Sequence, residues 1–240
     1  QDFKSQIENE FENVKCILTG ENLGYGKANN IGLKEVKTKY ALILNPDTKL
    51  YPETLNNFIK LANEIKNFAI IGPGIVEGDD SHKSSIKNAT KQTSEVKGYA
   101  MLMNLSQFEG IGFFDENIFF FLEEIDLCKR LKRKNKAIYY SPTTRVRHEG
   151  GKSHDNSFNY EMELSRNWHW MWSTFYYNKK HRGYFLALIN ILPNLISGIF
   201  KILLNSLLFK KEKTNIYFHR VSGIINSILC KKSWYRPKVS

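Results

Sequence analysis

Acidic residues all but vanish from the last quarter of this chain. Residues 179–240 hold 12 Lys and Arg against the single Glu212, whereas residues 1–178 balance 23 against 23. The tail therefore carries the whole formal charge of +11. Cysteine is scarce too: Cys16, Cys128 and Cys230 are scattered and odd in number. That excludes a disulfide framework and a cysteine zinc site, and it points to a reducing compartment. No signal-peptide pattern is present.

In the tail, polar residues form one narrow stripe on each of two otherwise apolar helical patterns. Over 184–209 the stripe is Asn190, Asn194, Ser197, Lys201 and Asn205; over 215–229 it is Asn215, His219, Ser222 and Asn226. A straight helix over 184–209 would run about 39 Å, enough for a hydrocarbon core of about 30 Å. The stripe, the mid-segment Lys201 and the flanking cations favour lying in the interface plane over spanning, re-entering or meeting a protein. The sequence thus predicts a C-terminal amphipathic helical appendage on an anionic membrane surface, where each Lys or Arg adds about 1 kcal/mol. Nucleic acid is excluded as a partner, because the cations flank apolar faces and the few aromatics show no stacking pattern.

Upstream, strand and helix signals alternate. Strands are expected at 14–18, 40–44, 68–71, 96–104 and 137–140. Helices are expected at 29–39, 52–67, 123–134 and, rich in aromatics, 161–178. Gly72-Pro73-Gly74 is expected to close the third strand, and the polar run 77–95 to form a long loop. This order implies an α/β fold, Rossmann-like, with a mostly parallel sheet and helices on both faces. Residues 1–155 make that domain, 156–182 an aromatic-rich helical segment and 183–240 the appendage.

Asn45-Pro46-Asp47-Thr48 follows the strand Tyr40–Leu44, and ligands of parallel α/β sheets bind beyond the carboxyl ends of strands. Asp47 reads evenly as an anchor for Mg2+ or Mn2+ bearing substrate phosphates and as the cap of the turn before Pro52. The turn from Asn22 to Gly32 is glycine-rich and can either present helix N–H groups to an anion or simply turn the chain. No Gly-Lys-Ser/Thr follows it, so it is not a Walker loop. Glu123, Glu124 and Asp126 open a helix behind Phe119-Phe120-Phe121. They either oppose the helix dipole, with Asp126 paired to Arg130, or supply a general base whose pKa burial raises. A lone histidine is usually structural; His148 gains meaning if it reaches Asp47.

Six elements then stand in one order. They are Asn22-Leu23-Gly24-Tyr25-Gly26 through Asn30, Leu44-Asn45-Pro46-Asp47-Thr48, Gly98 to Leu102, Gly112 to Glu116, Glu123 to Arg130, and His148 to Ser153. At these residues the chain resembles family 2 inverting glycosyltransferases, in their rhamnosyltransferase-like branch. The resemblance implies a GT-A fold in which Asp47 binds metal and His148 completes the metal or diphosphate site. It implies Asn45 beside the donor nucleotide, Gly98, Tyr99 and Ala100 around the donor sugar, and Asn22, Gly24, Gly26, Asn30 and Arg130 in the substrate-binding set. Glu124 is the expected base, flanked by Glu123 and Asp126; the family usually has Asp there, one methylene shorter. The family's first strand and pyrimidine-binding acid would precede Gln1, so the chain reads as an N-terminally truncated member.

The expected activity is single displacement, moving a sugar such as rhamnose from a UDP- or dTDP-sugar to a lipid-linked or polysaccharide acceptor. The expected place is the cytoplasmic face of the plasma membrane, peripherally bound, in cell-surface polysaccharide synthesis. Trp168, Trp170, Trp172, Phe175 and Tyr176 either support the acceptor, touch lipid or pack a core. A non-catalytic glycosyltransferase-like sugar-binding or membrane-scaffold module is the second reading, and homo-oligomerisation is left open.

Overall fold

Phe68 to Ile71 are wholly buried, and this apolar run makes β3 (Phe68–Ile75) a central strand covered on both faces. In the computed structural model, which describes residues 2–75, 89–148 and 156–237, five more strands complete the sheet. They are β1 (Tyr40–Leu44), β2 (Thr48–Leu50), β4 (Lys91–Gln92), β5 (Ala100–Asn104) and β6 (Ala137–His148). The order is β1-β5-β3-β6-β2, with β4 also on β6. Alternate side chains go to opposite faces. Ile43, Ile70, Met101 and Met103 pack under α2 (Tyr25–Glu35) and α4 (Glu123–Arg133). Ile71 and Leu102 pack under Phe58, Leu61 and Ala62 of α3 (Thr54–Glu64) on the other face.

The expected α/β class, with helices on both faces and a C-terminal helical region, is present. The strand directions need correcting, because the sheet is mixed. β3 and β6 pair in parallel, while β5 runs against both β1 and β3, and β2 and β4 run against β6. A parallel neighbour needs a crossover, usually a helix, and no helix separates β3 from β5 among the described residues.

Local boundaries moved for physical reasons. Residues 14–18 form no strand: the segment finds no ladder partner among the described residues, and Val14, Ile17 and Leu18 stay exposed. Gly72-Pro73-Gly74 does not close β3 but passes through it, with a register shift against β6 at Pro73/Gly74. The strand expected over 137–140 runs on to His148. Most of the expected loop 77–95 lies outside the described residues, and its end carries β4.

Beside α4, α5 (Asn159–Arg182), α6 (Tyr184–Leu207) and α7 (Lys211–Ile228) form a bundle around Met171, Phe175, Ala187, Ile191 and Ile224. Gly223 allows the closest approach: a Cβ there would meet the Trp168 carbonyl oxygen at 2.3 Å. Trp168 and Trp172 are buried in this bundle, their indole N–H groups donating to Ser222 Oγ and the Lys231 carbonyl. They are core residues.

Candidate active site

Pairing of β2 with β6 sets Thr48 opposite His148, which brings the preceding Asp47 alongside the imidazole. Asp47 Oδ1 lies 3.3 Å from His148 Nε2, with the side chains 11% and 28% exposed. The Asn45 amide donates to the Tyr99 carbonyl (2.9 Å) and the Thr48 amide to the Asn45 carbonyl (3.0 Å), tying the turn to the sheet. Tyr99 stacks on His148 with ring centroids 5.1 Å apart. Among the described residues no third His, Cys, Asp or Glu completes a cluster. One carboxylate and one imidazole nonetheless fit the protein's share of a divalent ion whose remaining ligands are substrate phosphates and water.

The acids of α4 are introduced by strained backbone. Phe121 and Leu122 both take left-handed conformations (φ 67° and 68°), costly for side chains with a Cβ and typical of functional turns. The Ser173 hydroxyl of α5 holds the Phe120 carbonyl at 2.8 Å. Glu123 is 5% exposed and its Oε2 has no hydrogen-bond partner among the described residues. Burial, then the neighbouring Glu124, raises the Glu123 pKa. Burial also raises that of Glu124, against the pull of backbone amides and Lys97. Glu124 is therefore a carboxyl poised to take a proton at higher pH than an ordinary one.

Tyr25 links the two groups. Its hydroxyl donates to the Gly98 carbonyl, directly before the Tyr99 that stacks on His148. Burial pushes its pKa up, and the charges of Glu123 and Glu124 push it further. A cavity of about 300 Å³ lies alongside, lined by Pro73, Glu95, Lys97, Tyr99 and Ile125. The segment 95–99 thus joins the Asp47–His148 pair to the carboxylates of α4. Neither Tyr25 nor Lys97 was singled out from the sequence; Tyr25 stood in plain sight between two glycines.

Several expected site residues are engaged in contacts within the fold. Asp126 is 0% exposed, its Oδ1 meeting Lys180 and His181 and its Oδ2 meeting Arg130. It fastens α4 to α5. Arg130 also donates from its two terminal nitrogens to the carbonyls of Ile111, Gly112 and Phe113. Asn30 is buried, donating to the Phe114 carbonyl and accepting from its amide. Gly24 and Gly26 admit close packing: a Cβ would meet the Phe119 carbonyl oxygen at 2.3 Å and Phe114 Cβ at 3.0 Å. Ala100 is buried in β5 opposite Leu44. Asn22 caps the turn through the Gly24 amide and lines a second cavity. Of the last motif, residues 149–153 lie outside the described residues.

Known proteins agree with this architecture. The low-salt glycan biosynthesis hexosyltransferase of Haloferax volcanii is 27% identical over 171 residues, 58% of this chain and 55% of that one. The N-acetylglucosaminyl-diphospho-decaprenol L-rhamnosyltransferase of Mycobacterium tuberculosis is 21% identical over 60% of this chain and 61% of its own. Rhamnosyltransferase WbbL of Escherichia coli is 28% identical over 69% and 74%. The chain thus spans less than two thirds of the first two relatives. Among solved structures, the mannosyltransferase PcManGT of Pyrobaculum calidifontis, in complex with GDP-Man and Mn2+, aligns with TM-score 0.52 at 12% identity. It covers 95% of this chain and 74% of that one. GalNAc-T7 with UDP, GalNAc and Mn2+ aligns with TM-score 0.52 at 12% identity, over 70% and 42%. The fold is that of the GT-A glycosyltransferases. The family model described as glycosyl transferase family 2 matches residues 2–128, more than half of the sequence, and the chain belongs to that family.

Proposed function

We propose that this chain is the catalytic part of a metal-dependent inverting glycosyltransferase. Its sugar, of the rhamnose type, comes from a UDP- or dTDP-linked donor and goes to a hydroxyl of a lipid-linked or polysaccharide acceptor. The observation that carries this reading is the Asp47–His148 pair at a strand end, joined through Gly98 and Tyr25 to buried, proton-avid carboxylates. Asp47 and His148 would hold Mg2+ or Mn2+, which when bound offsets charge on the departing diphosphate. Glu124 takes the proton of the acceptor hydroxyl. The freed oxygen pair forms the new bond to the anomeric carbon from the face opposite the diphosphate. The bond from that carbon to the diphosphate oxygen breaks, its electrons leaving with the nucleoside diphosphate, and one displacement inverts the centre.

The name of one relative, an N-acetylglucosaminyl-diphospho-decaprenol L-rhamnosyltransferase, supports the sugar and the acceptor class. The reading divides the chain near 155 and 182, with the region beyond 183 meeting the cytoplasmic membrane face. α6 is, among the described residues, the one helix long and apolar enough to cross a membrane. It buries Ala187, Ile191 and Gly198 and exposes a row from Phe185 to Leu207. That split, one side on protein and one free, suits an in-plane helix.

The test is initial-rate transfer or donor hydrolysis with UDP- and dTDP-sugars, with Mn2+ and with EDTA. Metal-dependent turnover is expected; none with any donor in the longest natural form of the chain would sink the reading and favour a sugar-binding module.

A further inference from the structure

A second cavity, of about 350 Å³, lies where the turn before α2 and the loop after Phe114 face the end of α7. Five cations line it: Lys27, Lys179, Lys231, Lys232 and Arg236. Its two carboxylates do not balance them, because Glu116 is turned to Asn30 and Lys34, leaving Glu21. Among the described residues, Lys27, Lys231 and Lys232 make no ion pair with a carboxylate. Uncompensated like charges around one cavity repel, and a concave site of that kind draws an anion.

The wall is built rather than loose. The segment after α7 folds back over α5, where buried His169 accepts from or donates to Ser233 Oγ at 3.0 Å and meets the Tyr235 carbonyl at 2.9 Å. The Trp172 indole donates to the Lys231 carbonyl. So pinned, the segment lays the Arg236 guanidinium over the Phe119 ring at 3.5 Å, two residues from the strained turn that leads into α4.

The same turn of chain borders an apolar surface. The Tyr184 hydroxyl, at the start of α6, donates to the Ile228 carbonyl at the end of α7. Phe185, Leu229 and Trp234 around that junction are exposed. Cationic pocket and apolar ridge therefore share one edge.

We infer that this cavity holds the diphosphate of a polyprenyl-diphosphate-linked acceptor, with the prenyl chain running onto the apolar face of α6. The inference rests on the acceptor class proposed above. On that reading an ion held by Asp47 and His148 would serve the donor's diphosphate, and a separate cluster of cations suits a second one.

Calorimetric titration of the intact protein in Mn2+, using farnesyl diphosphate, farnesol, inorganic pyrophosphate and UDP, tests it. Farnesyl diphosphate is expected to bind at least about tenfold more tightly than farnesol or pyrophosphate. Lys27→Glu and Lys232→Glu are each expected to weaken it about tenfold or more while UDP affinity stays within about twofold. The neutral Lys232→Gln, at an exposed position, should weaken it about threefold and keeps the test readable if charge reversal unsettles the fold. Unchanged farnesyl diphosphate affinity in all three variants overturns the site. Pyrophosphate binding as tightly as farnesyl diphosphate overturns the lipid. UDP displacing farnesyl diphosphate and weakening in the same variants would assign the cavity to the donor instead. None of these readouts needs turnover: charge-dependent prenyl-diphosphate binding in a chain that transfers nothing leaves the pocket standing and removes the transferase reading.

Discussion

Asp47 Oδ1 and His148 Nε2 meet at 3.3 Å because Thr48 and His148 are register partners of two antiparallel strands. If the pair holds the ion, Asp47→Ala and His148→Ala should each lower Mn2+-stimulated transfer by about 10²–10³, the scale on which losing one preorganised charge contact acts. Rate against Mn2+ concentration is the measurement. A variant with the parent's rate and the parent's half-saturation would show that the ion sits elsewhere.

Glu124 should separate chemistry from binding. Glu124→Gln keeps size and removes the base, so kcat should fall about 10²–10⁴-fold while UDP affinity in Mn2+ stays within about twofold. The base works deprotonated, and burial raises its pKa. Activity should therefore fade, as pH drops, at a higher pH than the value of about 4.3 for an ordinary Glu. An acid limb at or below that ordinary value would remove Glu124 from the role.

Glu123 offers a stability counterpart. Its carboxyl is buried, with one oxygen unpartnered among the described residues and a raised pKa. The folded form holds this proton more tightly than the unfolded chain, so its contribution is full below the unfolded value of about 4.3 and is lost as pH rises through the folded value. Glu123→Gln should accordingly gain in Tm relative to the parent, the gain growing from about pH 5 to about pH 8. Thermal unfolding by circular dichroism reads it. A gain independent of pH would point to packing rather than charge.

Asp126 should behave as structure. Removing it leaves Arg130, Lys180 and His181 without their shared carboxylate, and breaking such a buried pair costs about 3–5 kcal/mol. Asp126→Ala is expected to lower unfolding free energy by that amount in urea titration, while the folded fraction keeps its kcat. A variant of parental stability and abolished kcat would return Asp126 to the catalytic set.

The face of α6 can be tested by its own periodicity. Ile189, Ile196 and Leu203 are spaced for one side of the helix and all are exposed. Changing the three to Ser should cut co-sedimentation with anionic phosphatidylglycerol vesicles about tenfold or more, since each buried apolar side chain contributes about 1.5–3 kcal/mol. Equal sedimentation would assign membrane contact to another surface.

The sequence alone determined what local periodicity encodes. The apolar run of Tyr40–Leu44, the apolar block at 68–71, the polar stripes at 190–205 and the acid-poor tail each report burial or charge within a few neighbouring residues, and each foretold its element. The order of motifs likewise carried the family. Only the tertiary structure decided which partner each group found. Asp126 and Glu124 lie two positions apart on one helical turn, yet one is clasped by Lys180 and His181 of α5 and the other faces Lys97. The antiparallel entry of β5, the reach of β6 to His148 and the seat of Arg236 over Phe119 are decided the same way. Contacts between residues distant in sequence leave no periodic trace in it; they follow from packing, where the surrounding side chains choose among conformations that are locally equivalent.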